Sequence, residues 1–168
     1  GRAVCIDAHC GRCLQSAQML GAQDPYVVAR VLRPGEGDRD ARTSHTSRTL
    51  ASEGGGTDPK WAGVHNNHLV LPLTRADEGG TVLLEVWNEN VVSDDKLGEV
   101  EVEIPHESVG QRTAERSMLQ LCDDPASVGS SGGGSARGTL EITVANIESD
   151  ESAGFADDQE LMRMALVK

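Results

Sequence analysis

Three of the four cysteines, Cys5, Cys10 and Cys13, lie within nine residues, and Cys10-Gly11-Arg12-Cys13 has the C-x-x-C spacing. Thiols so spaced can hold zinc or run dithiol–disulfide chemistry. A structural zinc site wants four ligands, usually from a second such pair, and the remaining cysteine, Cys122, stands alone. A redox pair is activated at a helix N-terminus, whereas the residues before Cys10 alternate like a strand. The cysteines therefore read as small buried or edge thiols. His9, His45, His65, His68 and His106 are dispersed, and no nucleophile elbow, phosphate loop or H-E-x-x-H occurs. The reading is non-enzymatic, with no catalytic residues.

The elements that position these residues belong to one domain of 168 residues. A hydrophobic fraction of 38% allows a packed core, but Tyr26, Trp61, Trp87 and Phe155 are the whole aromatic set. The core must be aliphatic, and a base-stacking platform is excluded. A net charge of −12 opposes nucleic acid and strongly anionic membranes as partners. Residues 148–168 carry six acids and two bases, net −4, which leaves −8 on residues 1–147. No apolar run approaches the roughly 18–20 residues of a membrane span. Reduced cysteines without a basic-then-apolar leader point to the cytoplasm. The first residue leads directly into a strand pattern, so the chain is expected to be part of a longer polypeptide.

Alternation of period two is the main signal. Val4, Ile6, Ala8 and Cys10 alternate with polar or small residues. Tyr26–Leu32 is a second β-prone run. Leu69, Leu71 and Leu73 alternate, with Pro72 marking an edge strand or a strand end. Val82, Leu84 and Val86 alternate, as do Val100, Val102 and Ile104 against three glutamates. Leu119 and Leu121 make a short strand, and Leu140, Ile142 and Val144 close the series. About seven or eight short strands separated by turn-rich segments predict an antiparallel β-sandwich. Residues 148–168 read as an acidic linker followed by a short amphipathic helix, with acids at its start, Arg163 and Lys168 near its end, and Leu161, Met164 and Ala165 on one face. So short a helix is marginal alone and needs a surface to pack on.

Asp24-Pro25-Tyr26-Val27, Asp58-Pro59-Lys60-Trp61, Val86-Trp87-Asn88-Glu89-Asn90 and Asp94-Asp95-Lys96-Leu97-Gly98-Glu99 follow one another in register. In this order and spacing they resemble the landmarks of the C2 domain, the eight-stranded Greek-key sandwich that binds calcium and lipid. The resemblance covers residues 1–147. It implies that the two tryptophans sit at packing positions.

It also implies a calcium site, which in the family draws about five aspartates from two loops at one end. The corresponding positions here are Gln18 and Asp24 in the first loop, and Asn88, Asn90 and Asp95 in the third, with Asp94 beside the last. Three of five carboxylates are thus amides. An amide offers an oxygen but no charge to offset dehydration of a divalent ion. Calcium binding is expected to be weak or absent, no tighter than about millimolar.

The loop tips carry apolar residues, Met19 and Leu20 in the first loop and Val91 and Val92 in the third. By the resemblance these positions insert into bilayers in lipid-binding members. The family's basic concave face is poorly matched: Arg30, Arg48 and His45 are the candidates for one strand face. The sequence therefore predicts a largely calcium-independent interaction module without cofactor. Docking of a scaffold to a protein partner is favoured, and phospholipid binding through the tips is the alternative. The expected setting is cytoplasmic, peripheral to a membrane or on a cytoskeletal assembly.

Overall fold

The computed structural model describes residues 2–17, 21–35, 42–62, 67–105, 115–122 and 137–148. The expected C-terminal helix, with Leu161, Met164 and Ala165, lies outside them, as do Gln18, Met19 and Leu20.

Among the described residues eight strands form: β1 (Arg2–Arg12), β2 (Pro25–Leu32), β3 (Thr43–Arg48), β4 (His68–Leu73), β5 (Thr81–Asn88), β6 (Asp95–Glu103), β7 (Glu115–Gln120) and β8 (Thr139–Glu148). They make two four-stranded antiparallel sheets, ordered β4-β1-β8-β7 and β3-β2-β5-β6. β4 is an edge strand, which is where Pro72 is tolerated.

The alternating residues face inward as their period requires. Val4, Ile6, Ala8, Leu69, Leu71, Leu140 and Ile142 of the first sheet meet Val27, Ala29, Val31, Val82, Leu84 and Val86 of the second. Each fully buried aliphatic side chain contributes about 1.5–3 kcal/mol, so this interface supplies the main driving force. Trp61 is wholly buried among them and donates its indole N–H to the Pro25 carbonyl at 3.0 Å.

Trp87 departs from expectation. It is only half-buried and lies outside the core cluster, on the outer face of β5. Val82, Leu84 and Val86 point inward, so the next residue must point outward.

Two bulges aim side chains. In β1 the register shifts between Ala8 and Cys10, and the His9 carbonyl accepts the Trp61 backbone N–H at 2.9 Å. In the β5–β6 pair Val86 faces Gly98 while Trp87 faces Lys96. The extra residue, Leu97, enters the core, and Lys96 shares the outer face with Glu85 and Glu99. Gly138 opens β8 at φ +97°, where a Cβ would stand 2.6 Å from the Cys13 carbonyl oxygen.

Candidate functional site

Three connections meet at one end of the sandwich: the segments after β1, after β3 and after β5. Gln23, buried, ties the first to the second. Its amide nitrogen donates to the carbonyls of Gln15 (2.9 Å) and Gly56 (3.0 Å), and its oxygen accepts the Ala17 N–H at 3.1 Å. Asp24 joins all three. Its Oδ1 accepts the Gly54 N–H at 2.7 Å, its carbonyl accepts the Glu89 N–H at 3.0 Å, and its own N–H donates to Asn88 Oδ1 at 2.9 Å. Gly54 holds φ +65°, a conformation that aims its N–H and disfavours side chains.

The amide residues continue this chain. Asn88, fully buried, donates from Nδ2 to Asn90 Oδ1 at 3.1 Å. Asn90 Nδ2 donates to Asp95 Oδ2 at 2.7 Å and to the Ser93 carbonyl at 2.9 Å. The Asn90 N–H donates to Asp94 Oδ1 at 2.9 Å, and the Tyr26 hydroxyl donates to Asp94 Oδ2. The bond from Tyr26, followed by that from Asn90, holds the Asp94 carboxyl below its usual range. Burial, then the bond to Asp94, pushes the Tyr26 phenol up to about 12.

Asp24, Asp94, Asp95, Asn88 and Asn90 therefore come together at this end of the sandwich in one hydrogen-bond network. The amide hydrogens of Asn90 occupy the electropositive role beside Asp95 that an ion would otherwise fill. Among the described residues, Asp24, Asp94 and Asp95 do not each bring an oxygen within 4.8 Å of the other two. A calcium ion needs six to eight converging oxygens. The anchoring roles of Gln23, Tyr26 and Gly54 leave no trace in the sequence, because a loop glutamine or glycine carries no signal of its partners.

Beyond this network the third loop projects Val91 and Val92 into solvent, with relative exposures of 104% and 96%. Neither folds back onto the core. From the tip an open groove of about 670 Å³ runs along the sheet past Tyr26, Val28, Arg30, Arg48 and Trp87. Its two arginines are engaged. Arg30 pairs with Glu85 at 2.6 Å, and Arg48 stacks 3.9 Å above the Tyr26 ring and pairs with Glu89 at 3.7 Å. His45 does not join them, because it adjoins Thr46, the groove-side residue of β3.

The C-x-x-C cysteines do not pair. Cys10 donates its thiol to Glu141 Oε2 at 3.0 Å, Cys13 is exposed, and all four cysteines are free.

The model of the family described as C2 domain matches residues 2–119. The chain belongs to the C2 family, a calcium- and lipid-binding class of module. Its fold is similar to that of the first-lettered (A) C2 domain of plant Extended Synaptotagmin 1, at 16% identity and TM-score 0.59, over 88% of this chain and 95% of that one. A structure described only as a C2 domain matches at 17% identity and TM-score 0.54, over 88% and 100%. The paired C2 domains, A and B, of Extended-Synaptotagmin 2, calcium bound, match at 17% identity and TM-score 0.55, over 85% of this chain and 44% of that one. No curated protein matches the chain. Among the described residues no helix is long and apolar enough to cross a membrane.

Proposed function

We propose that this C2 domain is a non-catalytic docking module that acts without calcium and engages phospholipid surfaces through the tip of its third loop. The observation that carries this reading is the pair of fully exposed valines, Val91 and Val92, standing directly on a network already closed by Asn88 and Asn90. Clustered apolar tips on a rigid base favour interfacial insertion. Burial of two valines contributes about 3 kcal/mol, about two orders of magnitude in partitioning. The charge of −12 and the engaged arginines favour a zwitterionic surface over an anionic one.

Cosedimentation with phosphatidylcholine vesicles in EGTA tests this. The wild type is expected to pellet and the Val91→Asp, Val92→Asp double variant to remain in solution. Equal behaviour of the two contradicts the proposal.

A second reading is docking of a larger scaffold to a protein partner. It is supported by the edge position of β6, whose Glu101 and Glu103 are exposed and present an acidic face to a basic partner. Under that reading the domain binds its partner through β6 and ignores vesicles of any composition. A cytoplasmic location, peripheral to a membrane or on a cytoskeletal assembly, fits either reading.

A further inference from the structure

On the opposite sheet, away from the loop network, Cys5 and Asp7 of β1 and His68 of β4 turn to the same outer face. Their neighbours Val4, Ile6, Ala8 and Leu69 point into the core. The register sets Asp7 directly across from His68 and Cys5 across from Val70, so the imidazole leans diagonally over both β1 side chains. Cys5 Sγ lies 3.0 Å from His68 Nε2 and 3.3 Å from Nδ1, and Asp7 Oδ1 is paired with Nδ1. Among the described residues, this is the one group of three His, Cys, Asp or Glu side chains whose ligand atoms lie within 4.8 Å of one another. Asn67 braces the strand end beside it, accepting the Ala8 N–H at 2.9 Å and donating to the Ala8 carbonyl at 3.3 Å.

Cysteine, histidine and aspartate in this order suggest a nucleophile, base and orienting acid, but the surroundings argue otherwise. Cys5 is 3% exposed, and burial, then the Asp7 charge, push its thiol up to about 12. A buried neutral thiol on a sheet face is a poor nucleophile. The same donor set suits a borderline divalent ion, since sulfur, imidazole nitrogen and carboxylate oxygen are the three zinc ligand types. A tetrahedral zinc ion separates its sulfur and nitrogen ligands by about 3.5 Å. Taking up an ion means opening the existing Asp7–His68 Nδ1 contact and widening the sulfur–nitrogen distances of 3.0 and 3.3 Å slightly. Asp7 and His68 are partly open to solvent, which leaves room for a water as fourth ligand.

We propose that Cys5, Asp7 and His68 form a binding site for zinc or a similar divalent transition metal on the outer face of the β4–β1 edge. On binding, the sulfur–hydrogen bond of Cys5 is replaced by a sulfur–metal bond, and the proton leaves to solvent. No electron is transferred. The Asp7 charge that disfavours a bare thiolate favours a dication. Calcium, which takes oxygen ligands, does not compete.

Cobalt(II) titration of the whole chain tests the site. The wild type is expected to develop a near-ultraviolet sulfur-to-cobalt band that zinc abolishes and calcium leaves unchanged. The Cys10→Ser, Cys13→Ser double variant should keep the band. His68→Ala, at an exposed position, should weaken metal binding by at least the about 10–100-fold that loss of a supporting residue alone costs. Asp7→Asn keeps the side chain's size while removing its charge and is expected to weaken cobalt binding as well; unchanged binding would contradict Asp7 as a ligand. No band in the wild type, or a band that survives His68→Ala and vanishes when Cys10 and Cys13 are replaced, overturns the proposal.

Discussion

Glu85 and Glu99 stand directly opposite one another on β5 and β6, both nearly buried, and Lys96 Nζ joins them at 3.1 Å and 2.7 Å. Like charges in cross-strand register repel. The β-bulge at Leu97 brings the lysine onto their face, and Arg30 adds a second cation on Glu85. Burial lowers the lysine's proton affinity, but the two carboxylates outweigh it and raise its pKa. Replacement by a residue of similar length, Lys96→Met, removes the cation that the two opposed acids share. Because Lys96 is one-third exposed, the expected loss is about 1–3 kcal/mol, below that of a fully buried pair. Urea denaturation reads it as a lower midpoint at unchanged slope; an unchanged or higher midpoint contradicts the assignment.

Restoring carboxylates should restore a calcium site. In Asn88→Asp, Asn90→Asp the amide donations to Asn90 and Asp95 disappear and four or more acids crowd the loop end. The variant is expected to be less stable without calcium and to bind it at about 10⁻⁵–10⁻³ M, within the sensor-to-extracellular range. Calorimetry showing no binding by this variant would mean that backbone geometry, rather than charge, closes the site.

Glu141 lies between Arg116, at 2.5 Å, and the Cys10 thiol, and these bonds, the arginine first, bring its carboxyl down to about 2 from the ordinary 4.5. Its folded value is depressed, so its stabilising contribution is present above about pH 4.5 and is lost as pH falls toward 2. Carboxyl carbon shifts followed by NMR should show Glu141 titrating far below the other glutamates. In Arg116→Ala its midpoint should move back toward 4.5; an unmoved midpoint removes the arginine as the cause.

Trp61→Phe removes one indole and one hydrogen bond to the Pro25 carbonyl. That carbonyl still accepts the Ser52 N–H at 2.8 Å. The expected cost is therefore about 1–3 kcal/mol, mostly from lost volume in a closed core. Thermal unfolding measures it, and a neutral result would show that the core collapses around the smaller ring.

The alternating strands are legible because each buries one face: Val4, Ile6 and Ala8, or Leu140 and Ile142, show the period directly. β3 is harder. Thr43–Arg48 is polar throughout and joins the sheet by backbone pairing with β2. Family position puts Trp87 in the core, although the parity of Val82, Leu84 and Val86 already turns it outward. At the loop end the amide substitutions are visible, but the closure of Asn88, Asn90 and Asp95 into one network depends on loop geometry. The meeting of Cys5 with His68 depends on the β1–β4 register, which no local pattern encodes.

Calcium titration by calorimetry, run with and without phosphatidylcholine vesicles, reads both the loop network and the valine tip. No saturable heat is expected below about millimolar calcium, and vesicle binding should be of equal strength in calcium and in EGTA. Saturable binding at micromolar calcium, or vesicle binding that appears only when calcium is added, would contradict these expectations.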